Sequence, residues 1–357
     1  GYLTFRHQAA DGGWWWAQRV LEQLAQGKFL GLLSIMFGIG VAIQQRSAVA
    51  RDLRWPGTYP WRVLLLFIDG VVNYVLFTEF DVLTGYAVTG LIVAYLLTMR
   101  VSRQWFAIGL AAVIHLLMLA TIAAALAASP QTVAESSEVL SPNPYADGSF
   151  VELAMFRLSQ IAVFRAETIL IIPLTVVLFG VGAMLLRAGI LEPSAWRLRR
   201  RLMIVGFGVA LPLDLSLGIF GGATGLIVAR YGTAPFVSLG ILAAVAGFYA
   251  DGRPLGGVGR LLTPIGKTAL SCYVLQNAIA GAICYGWGFG LAARLTPSTV
   301  VPATVALFVA ISVVLMCASR WWLRRFDRGP LELISHRAYR RLSTRTMRSA
   351  QPVGSGP

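Results

Sequence analysis

The chain has 357 residues, of which 57% are hydrophobic and only 13% are charged, and its formal net charge is +14. Soluble domains average roughly 45–50% apolar and about 25% charged residues, so this composition excludes an ordinary water-soluble protein. The lysines and arginines form short clusters between apolar runs, where they determine membrane topology rather than nucleic-acid binding. We therefore expect an integral membrane protein with no nucleic-acid partner.

Nine apolar runs are long enough to cross a bilayer. A helix rising about 1.5 Å per residue needs about 20 mostly apolar residues to span a hydrocarbon core of about 30 Å. Each run must be helical, because lipid offers no partner to a free backbone amide. The predicted fold class is all-α, a polytopic transmembrane helix bundle. The runs cover approximately residues 28–44, 61–78, 81–98, 104–128, 167–186, 202–220, 234–250, 262–290 and 299–319.

The basic residues alternate between the ends of these runs and predict an orientation. Arginines follow the first, third, fifth, seventh and ninth runs, whereas acidic residues such as Glu79 and Glu135 lie in the intervening loops. Lysine and arginine near span ends are retained in the cytoplasm. The predicted location is a bacterial plasma membrane, with the C-terminus in the cytoplasm and the N-terminus outside.

This orientation divides the chain into three predicted regions. Residues 1–27 form an extracytoplasmic segment, residues 28–320 form the bundle with an extracytoplasmic loop at about 129–160, and residues 321–357 form a basic cytoplasmic tail. The tail is expected to be disordered after about residue 343. An outside N-terminus without a cleavable signal is uncommon, so we expect a tenth span ahead of Gly1.

Neither a metal site nor a nucleotide motif is predicted. Zinc needs three or four ligands, and His115 is the only histidine inside a span, whereas His7 and His336 lie in an outer segment and in the tail. The three cysteines, Cys272, Cys284 and Cys317, are scattered through apolar segments and are expected to pack in the core. No GxGxxG, P-loop, GxSxG or HExxH element occurs, and no cofactor is expected.

Ionisable and amide side chains at bilayer depth are the candidate catalytic groups, because their insertion is costly. Asp69 lies in the second run with Asn73 at i+4, so both could point into one polar cavity; alternatively, they form hydrogen bonds between helices. Asp81 opens the third run, where it is either a helix cap or a functional group. His115 is a candidate general base or a packing residue. Asp214 follows Pro212, which could open a polar pocket in the sixth run.

The candidate substrate-binding residues lie mostly in the eighth run. Lys267 could attract a phosphate of coenzyme A or of a lipid, or it could anchor the helix on the cytoplasmic side. Tyr86 follows Asp81 by about 1.4 turns and either binds substrate or packs. The polar residues further along the eighth run are Tyr273, Gln276 and Asn277.

Four ordered blocks carry a resemblance to a known family. GKFLGLLSIMFGIGVAIQ (27–44), RVLLLFIDGVVNYVLFTEFDVLTGYAVTGL (62–91), GKTALSCYVLQN (266–277) and WWLRRFDRGPLELISH (321–336) resemble blocks of the YeiB-like family, also called the DUF418 domain. In the last block, Gly329 and Pro330 are expected to separate the final span from a short surface helix, on which Glu332 pairs with an arginine.

The resemblance implies a reaction class. The YeiB-like family is distantly grouped with membrane acyltransferases, which implies acyl transfer from cytoplasmic acyl-CoA as co-substrate. Two positions depart from the family pattern: Asn73 replaces a histidine, and Cys272 replaces an asparagine. A carboxamide does not titrate near neutrality, so Asn73 cannot be a general base.

The preferred hypothesis is an acyltransferase that moves an acyl group to a lipid-linked or cell-envelope glycan acceptor. The alternatives are a transporter or flippase for a lipid or small molecule, which would use the same carboxylates as a relay, and an accessory subunit of a larger membrane assembly. The expected partners are membrane lipids, and a homo-oligomer or larger complex is left open.

Overall fold

A computed structural model describes residues 13–128, 143–250 and 252–349. For residues 344–349 it describes the backbone alone. The described residues form helices joined by short connections, and no strand occurs among them. The predicted all-α class is confirmed. The predictions made for residues 1–12, 129–142 and 350–357 lie outside the described residues.

The helices follow the predicted apolar runs closely. We number the α-helices in chain order: α1 (Gly13–Ala25), α2 (Lys28–Val49), α3 (Tyr59–Leu76), α4 (Leu83–Leu96), α5 (Val101–Ala128), α6 (Phe150–Ser159), α7 (Ile161–Arg187), α8 (Trp196–Met203), α9 (Leu211–Phe220), α10 (Gly222–Val228), α11 (Ala234–Ala250), α12 (Gly257–Lys267), α13 (Ala269–Cys284), α14 (Leu291–Arg294), α15 (Val300–Trp322) and α16 (Pro330–Ser349).

Seven helical stretches of the described residues are long and apolar enough to cross a membrane. Two further predicted runs correspond to the shorter apolar helices α4 and α13. All nine predicted runs are therefore helical, but two of them are shorter than the usual spanning length. The seven stretches are Gly13–Val49, Tyr59–Leu76, Val101–Ala128, Ile161–Arg187, Pro193–Phe220, Gly222–Ala250 and Val300–Trp322.

Several of the predicted runs are interrupted. The eighth run was predicted as one span over 262–290, but it breaks at Thr268, where α12 ends and α13 begins. Pro264 precedes the break and removes one backbone donor from the helix. In the sixth run, a π-helical segment at Ile204–Ala210 interrupts the α-helical hydrogen bonding, and a second π-helical segment, Ala229–Thr233, directly precedes the seventh run.

The core lies where α2 packs against α7. Ile35 and Phe179 are fully buried there, and Tyr86 from α4 packs its ring against Phe179 with ring centroids 5.5 Å apart. Gly38 and Gly182 allow the two backbones to approach, because a Cβ atom on either glycine would overlap backbone atoms of the facing helix. Small residues at such interfaces are typical of membrane helices, where close packing and not the hydrophobic effect drives association.

The C-terminal region is more ordered than its sequence indicated. As predicted, Gly329 and Pro330 separate α15 from a following helix. That helix, α16, runs to Ser349, so the prediction of disorder after about residue 343 is wrong over this part. It folds back along the bundle and contacts α3 and α13, because one face of the helix carries groups that bind those helices. Residues 330–349 are a docked helix rather than a free tail.

Candidate functional site

A groove of about 510 Å³ lies between α2, α3 and α16. This volume is within the range of about 300–1,000 Å³ that is usual for ligand sites. Apolar side chains of α2 and α3 form most of its wall, whereas α16 and the start of α3 contribute polar and charged groups. The polar members of the lining are Gln44, Tyr59, Arg62, Asp69, Tyr86, Arg328, Glu332, Ser335, His336 and Tyr339.

The predicted residue Asp69 lies in this groove. Its carboxylate is half-buried and accepts a hydrogen bond of 3.2 Å from the hydroxyl of Ser335 on α16. Near the start of α3, the guanidinium of Arg62 lies 5.0 Å from the ring centroid of Tyr339, and Tyr339 shares a 2.7 Å hydrogen bond with Thr58. These contacts hold α16 beside α3 along the groove.

Glu332 anchors α16 at its other side. One carboxylate oxygen accepts hydrogen bonds from the backbone amides of Leu270 (2.8 Å) and Ser271 (3.2 Å), and the other accepts one from the Ser271 hydroxyl. The predicted partner was an arginine, but the observed partner is the N-terminus of α13. The free amides and the dipole of that helix end stabilise a carboxylate.

His336 also lines the groove, although the sequence analysis placed it in the tail and considered it only as a metal ligand. Partial burial lowers the pKa of this imidazole, and the positive charges of Arg328, Arg340 and Arg62 lower it further. Its Nδ1 atom is buried and makes no hydrogen bond to the residues that the structure describes. A neutral imidazole with an unused nitrogen is able to accept a proton.

A sequence signal for this face of α16 existed. Glu332, Ser335, His336 and Tyr339 follow the spacing i, i+3, i+4 and i+7, which places them on one side of a helix. A polar stripe of this kind, directly after a proline at the first helical position, predicts a docked helix whose partner is polar. That partner could not be identified from sequence, because it lies 266 positions away.

Asn73 and Asp81 form a second polar cluster with α13. The Asn73 amide donates to one Asp81 oxygen at 3.0 Å, and the other oxygen accepts from the Thr84 backbone amide at 3.0 Å. Asn277 donates to the Asn73 carbonyl at 3.4 Å, and the Tyr273 hydroxyl lies 3.5 Å from the Val82 amide. Four predicted site residues thus meet, but in this cluster and not beside Asp69.

Arg165 and a neighbouring ion pair extend this cluster. Arg165 donates to the Asp81 carbonyl (3.2 Å) and to the Thr84 hydroxyl (2.9 Å), with its guanidinium 3.9 Å from the Tyr74 ring centroid. Arg157 is only 1% exposed, and its Nε lies 3.8 Å from a carboxylate oxygen of Glu79. The sequence reading did not single out Arg157, since it lies in a segment predicted as a loop.

Asp214 is fully buried and is not open to a pocket. Its carboxylate forms an ion pair with Lys28 and accepts hydrogen bonds from Gln23 (2.7 Å) and Thr233 (2.9 Å). Lys28 also donates to the Gln23 carbonyl, so it stabilises the C-terminal end of α1. None of these three partners was predicted, because Lys28 appeared to be only the flank of the first span.

The other predicted residues are dispersed. His115 is buried in α5 with its Nε2 3.0 Å from the Tyr231 carbonyl oxygen, and it is not among the groove residues. Tyr86 donates to the Leu30 carbonyl at 2.9 Å and touches the deep end of the groove. Lys267 and Gln276 are exposed on α12 and α13. Among the residues that the structure describes, no group of three His, Cys, Asp or Glu side chains could hold a metal ion.

These features define a polytopic membrane protein of the all-α class with a groove at one side of its bundle. Residues 185–341 match the family described as "Protein of unknown function (DUF418)". The chain is also 24% identical over 333 residues to "Uncharacterized protein YxaH" of Bacillus subtilis (strain 168), covering 88% of this chain and 80% of that protein. The match over residues 185–341 confirms the resemblance that was drawn from the sequence blocks. No solved structure matches the chain significantly.

Proposed function

We propose that this protein is a membrane acyltransferase and that the groove between α2, α3 and α16 is its active site. The observation that carries the proposal is the position of His336, a histidine whose pKa is lowered, in the same groove as Asp69. A general base must be neutral at the working pH and must reach the substrate. His336 lines the groove, whereas His115 is buried in α5 and is not among the groove residues.

In this proposal, the donor is an acyl-CoA and the acceptor is a hydroxyl or amine of a lipid-linked or cell-envelope glycan molecule. The His336 imidazole removes the acceptor proton as the acceptor oxygen or nitrogen attacks the thioester carbonyl carbon. The new C–O or C–N bond forms, the C–S bond breaks, and the imidazolium returns the proton to the departing thiolate of coenzyme A. Asp69 and Ser335 are positioning residues that keep α16 against α3.

The groove includes Gln44 and Tyr59, on either side of the connection between α2 and α3. This connection carries Arg51 and Arg54, and Arg46 lies in the last turn of α2. Basic residues at this end favour a cytoplasmic location. The proposal therefore includes a plasma membrane location with the C-terminus in the cytoplasm, where coenzyme A thioesters are found. Membrane lipids surround the bundle, and self-association remains part of the hypothesis.

Label transfer in lipid nanodiscs tests the proposed function. The purified protein is incubated with a radiolabelled acyl-CoA and a membrane-lipid extract, and both label transfer and coenzyme A release are measured. We expect His336→Gln to abolish transfer and the matched variant His115→Gln to retain it. Transfer that is unaffected by His336→Gln, or that is absent with every donor and acceptor tried, would reject the proposal.

The ion pair between Lys28 and Asp214 favours a second candidate, a transporter or flippase. The Lys28 side chain is 4% exposed and that of Asp214 is fully buried, and they meet at the break between α1 and α2, where Gly27 has a φ of 71°. Interrupted helices with buried charges are common at transport sites. Proteoliposomes carrying a pH-sensitive dye test this candidate in its proton-coupled form, which requires a proton flux that is lost in Asp214→Asn.

A further inference from the structure

We infer that the groove binds the hydrocarbon chain of a long-chain acyl donor, with the donor's phosphates held by Arg62 and Arg328. This inference rests on the proposed function and names its donor class. It differs from the transfer of a two-carbon acetyl group, which would leave the apolar part of the groove without a ligand.

The shape of the groove supports a long chain. Its wall includes Leu33, Met36 and Phe37 from α2 and Leu66 from α3, and its deep end reaches Tyr86 and Leu270. Asp69 is seven residues after Arg62, so the carboxylate lies about 10 Å further along the axis of α3. Between these two positions, Val63, Leu65 and Leu66 also line the groove, so this side of the wall is apolar over a length that a hydrocarbon tail can occupy.

Gly40 lies in the wall and shows that the space is open. A Cβ atom at this position would have no heavy atom within 4 Å, although Gly38, two residues earlier, is in close contact with α7. A larger side chain at position 40 would therefore enter the groove without overlapping the protein. This makes Gly40 a site at which the groove can be filled selectively.

The charged groups of the lining fit a phosphorylated headgroup. Arg62 and Arg328 are both exposed side chains that line the groove, and guanidinium groups bind phosphate through paired hydrogen bonds. The carboxylate of Glu332, which also lines the groove, is occupied by the N-terminus of α13. The two arginines are consequently suited to bind phosphates of coenzyme A, with the hydrocarbon chain lying along the apolar wall.

Photocrosslinking with a diazirine-bearing palmitoyl-CoA tests the inference without requiring turnover. The full-length protein is labelled in nanodiscs, and crosslinked peptides are mapped by mass spectrometry. We expect crosslinks in residues 33–44 and 62–69 that excess palmitoyl-CoA removes and acetyl-CoA does not. Gly40→Leu should reduce these crosslinks about tenfold, because the leucine occupies the space of several methylene groups. The control Gly109→Leu, also at a glycine with open space but in α5, should leave them unchanged.

Two competitors identify the headgroup. Palmitic acid, which lacks phosphates, should compete at least about tenfold less strongly than palmitoyl-CoA, and the double variant Arg62→Gln and Arg328→Gln should remove this difference. Equal competition by phosphatidic acid would overturn the inference in favour of a bilayer phospholipid. Crosslinks that persist in Gly40→Leu, with a melting temperature equal to that of the wild type, would also overturn it.

Crosslinking and acyl transfer are separate measurements, so a failure of this inference can be distinguished from a failure of the proposed function. If the crosslinks behave as expected and no acyl group is transferred, the groove binds the chain but the proposed reaction is wrong. If acetyl transfer depends on His336 and no groove crosslinks form, the reaction stands and the inference about chain length is wrong.

Discussion

The hydroxyl of Ser335 donates a 3.2 Å hydrogen bond to the carboxylate of Asp69, joining the C-terminal helix to the second predicted span across 266 positions of the chain. This contact converts a basic tail into one wall of a groove. It also places His336, the next residue, beside the groove instead of in solvent. Four predictions follow. They concern the attachment of α16, a buried ion pair, the packing of α2 against α7, and the pKa of His336.

The first prediction concerns the attachment of α16 through Glu332. In Glu332→Gln, the two backbone amides at the start of α13 lose a charged acceptor, which costs about 1.5–3 kcal/mol. We expect α16 to detach more often, so that trypsin cleaves faster at Arg337, Arg340 and Arg341 in nanodiscs. Asp327→Asn removes the same charge from an exposed neighbouring position and should leave cleavage unchanged. Equal cleavage of the two variants would contradict the anchoring role.

The second prediction concerns the ion pair between Lys28 and Asp214. In Lys28→Met the aspartate is left without its cation at a fully buried position, and breaking such a pair costs roughly 3–5 kcal/mol. The melting temperature in detergent should fall sharply. The double variant Lys28→Met with Asp214→Leu should recover most of the loss, since no unpaired charge remains. If the double variant is less stable than Lys28→Met alone, the unpaired charge of Asp214 does not explain the loss of stability in Lys28→Met.

The third prediction compares two glycines of α2. Gly38→Ala forces a methyl group against the backbone of Phe179 in α7, so overpacking should lower stability by about 1–3 kcal/mol. Gly40→Ala adds the same methyl group into open space and should be neutral or slightly stabilising, because alanine favours the helix. Thermal unfolding of both variants in the same detergent makes the comparison. The packing model fails if the two substitutions have the same effect.

The fourth prediction concerns pH and His336. Partial burial and the charges of Arg328, Arg340 and Arg62 lower its pKa in the folded protein below the usual value of about 6.5. In the proposed reaction the neutral imidazole is the active form. The rate of acyl transfer should therefore stay constant as pH falls through 6.5 and should decline only at lower pH. The same lowered pKa means that stability contributed by the neutral imidazole is present above pH 6.5 and is lost as pH falls through the lower folded pKa.

Arg328→Gln provides the control for this pH dependence. Removing one positive charge near the imidazole should raise its pKa, so the inflection of the pH–rate profile should move to higher pH. A substitution that lowers the rate without moving the inflection would mean that His336 is not the titrating base.

The sequence by itself determined the class of this protein and much of its organisation. Nine apolar runs predicted helices because lipid satisfies no free backbone group, and all nine are helical. Gly329 and Pro330 predicted the end of the last span. Of the two roles left open for Asp81, the helix cap agrees with its bond to the Thr84 amide at the start of α4. Both are local backbone effects. Two of the four family blocks, at 266–277 and 321–336, lie within the family match over residues 185–341.

Only the tertiary structure decided which polar groups meet. Asp69 and Asn73 share a helical face by spacing, yet one lines the groove and the other bonds to Asp81, because different neighbours pack at the two levels of α3. Asp214 appeared to be a free carboxylate until Lys28, 186 positions away, was found paired with it. Helical periodicity specifies the direction of a side chain around its own axis, but the partner it faces depends on how distant helices pack.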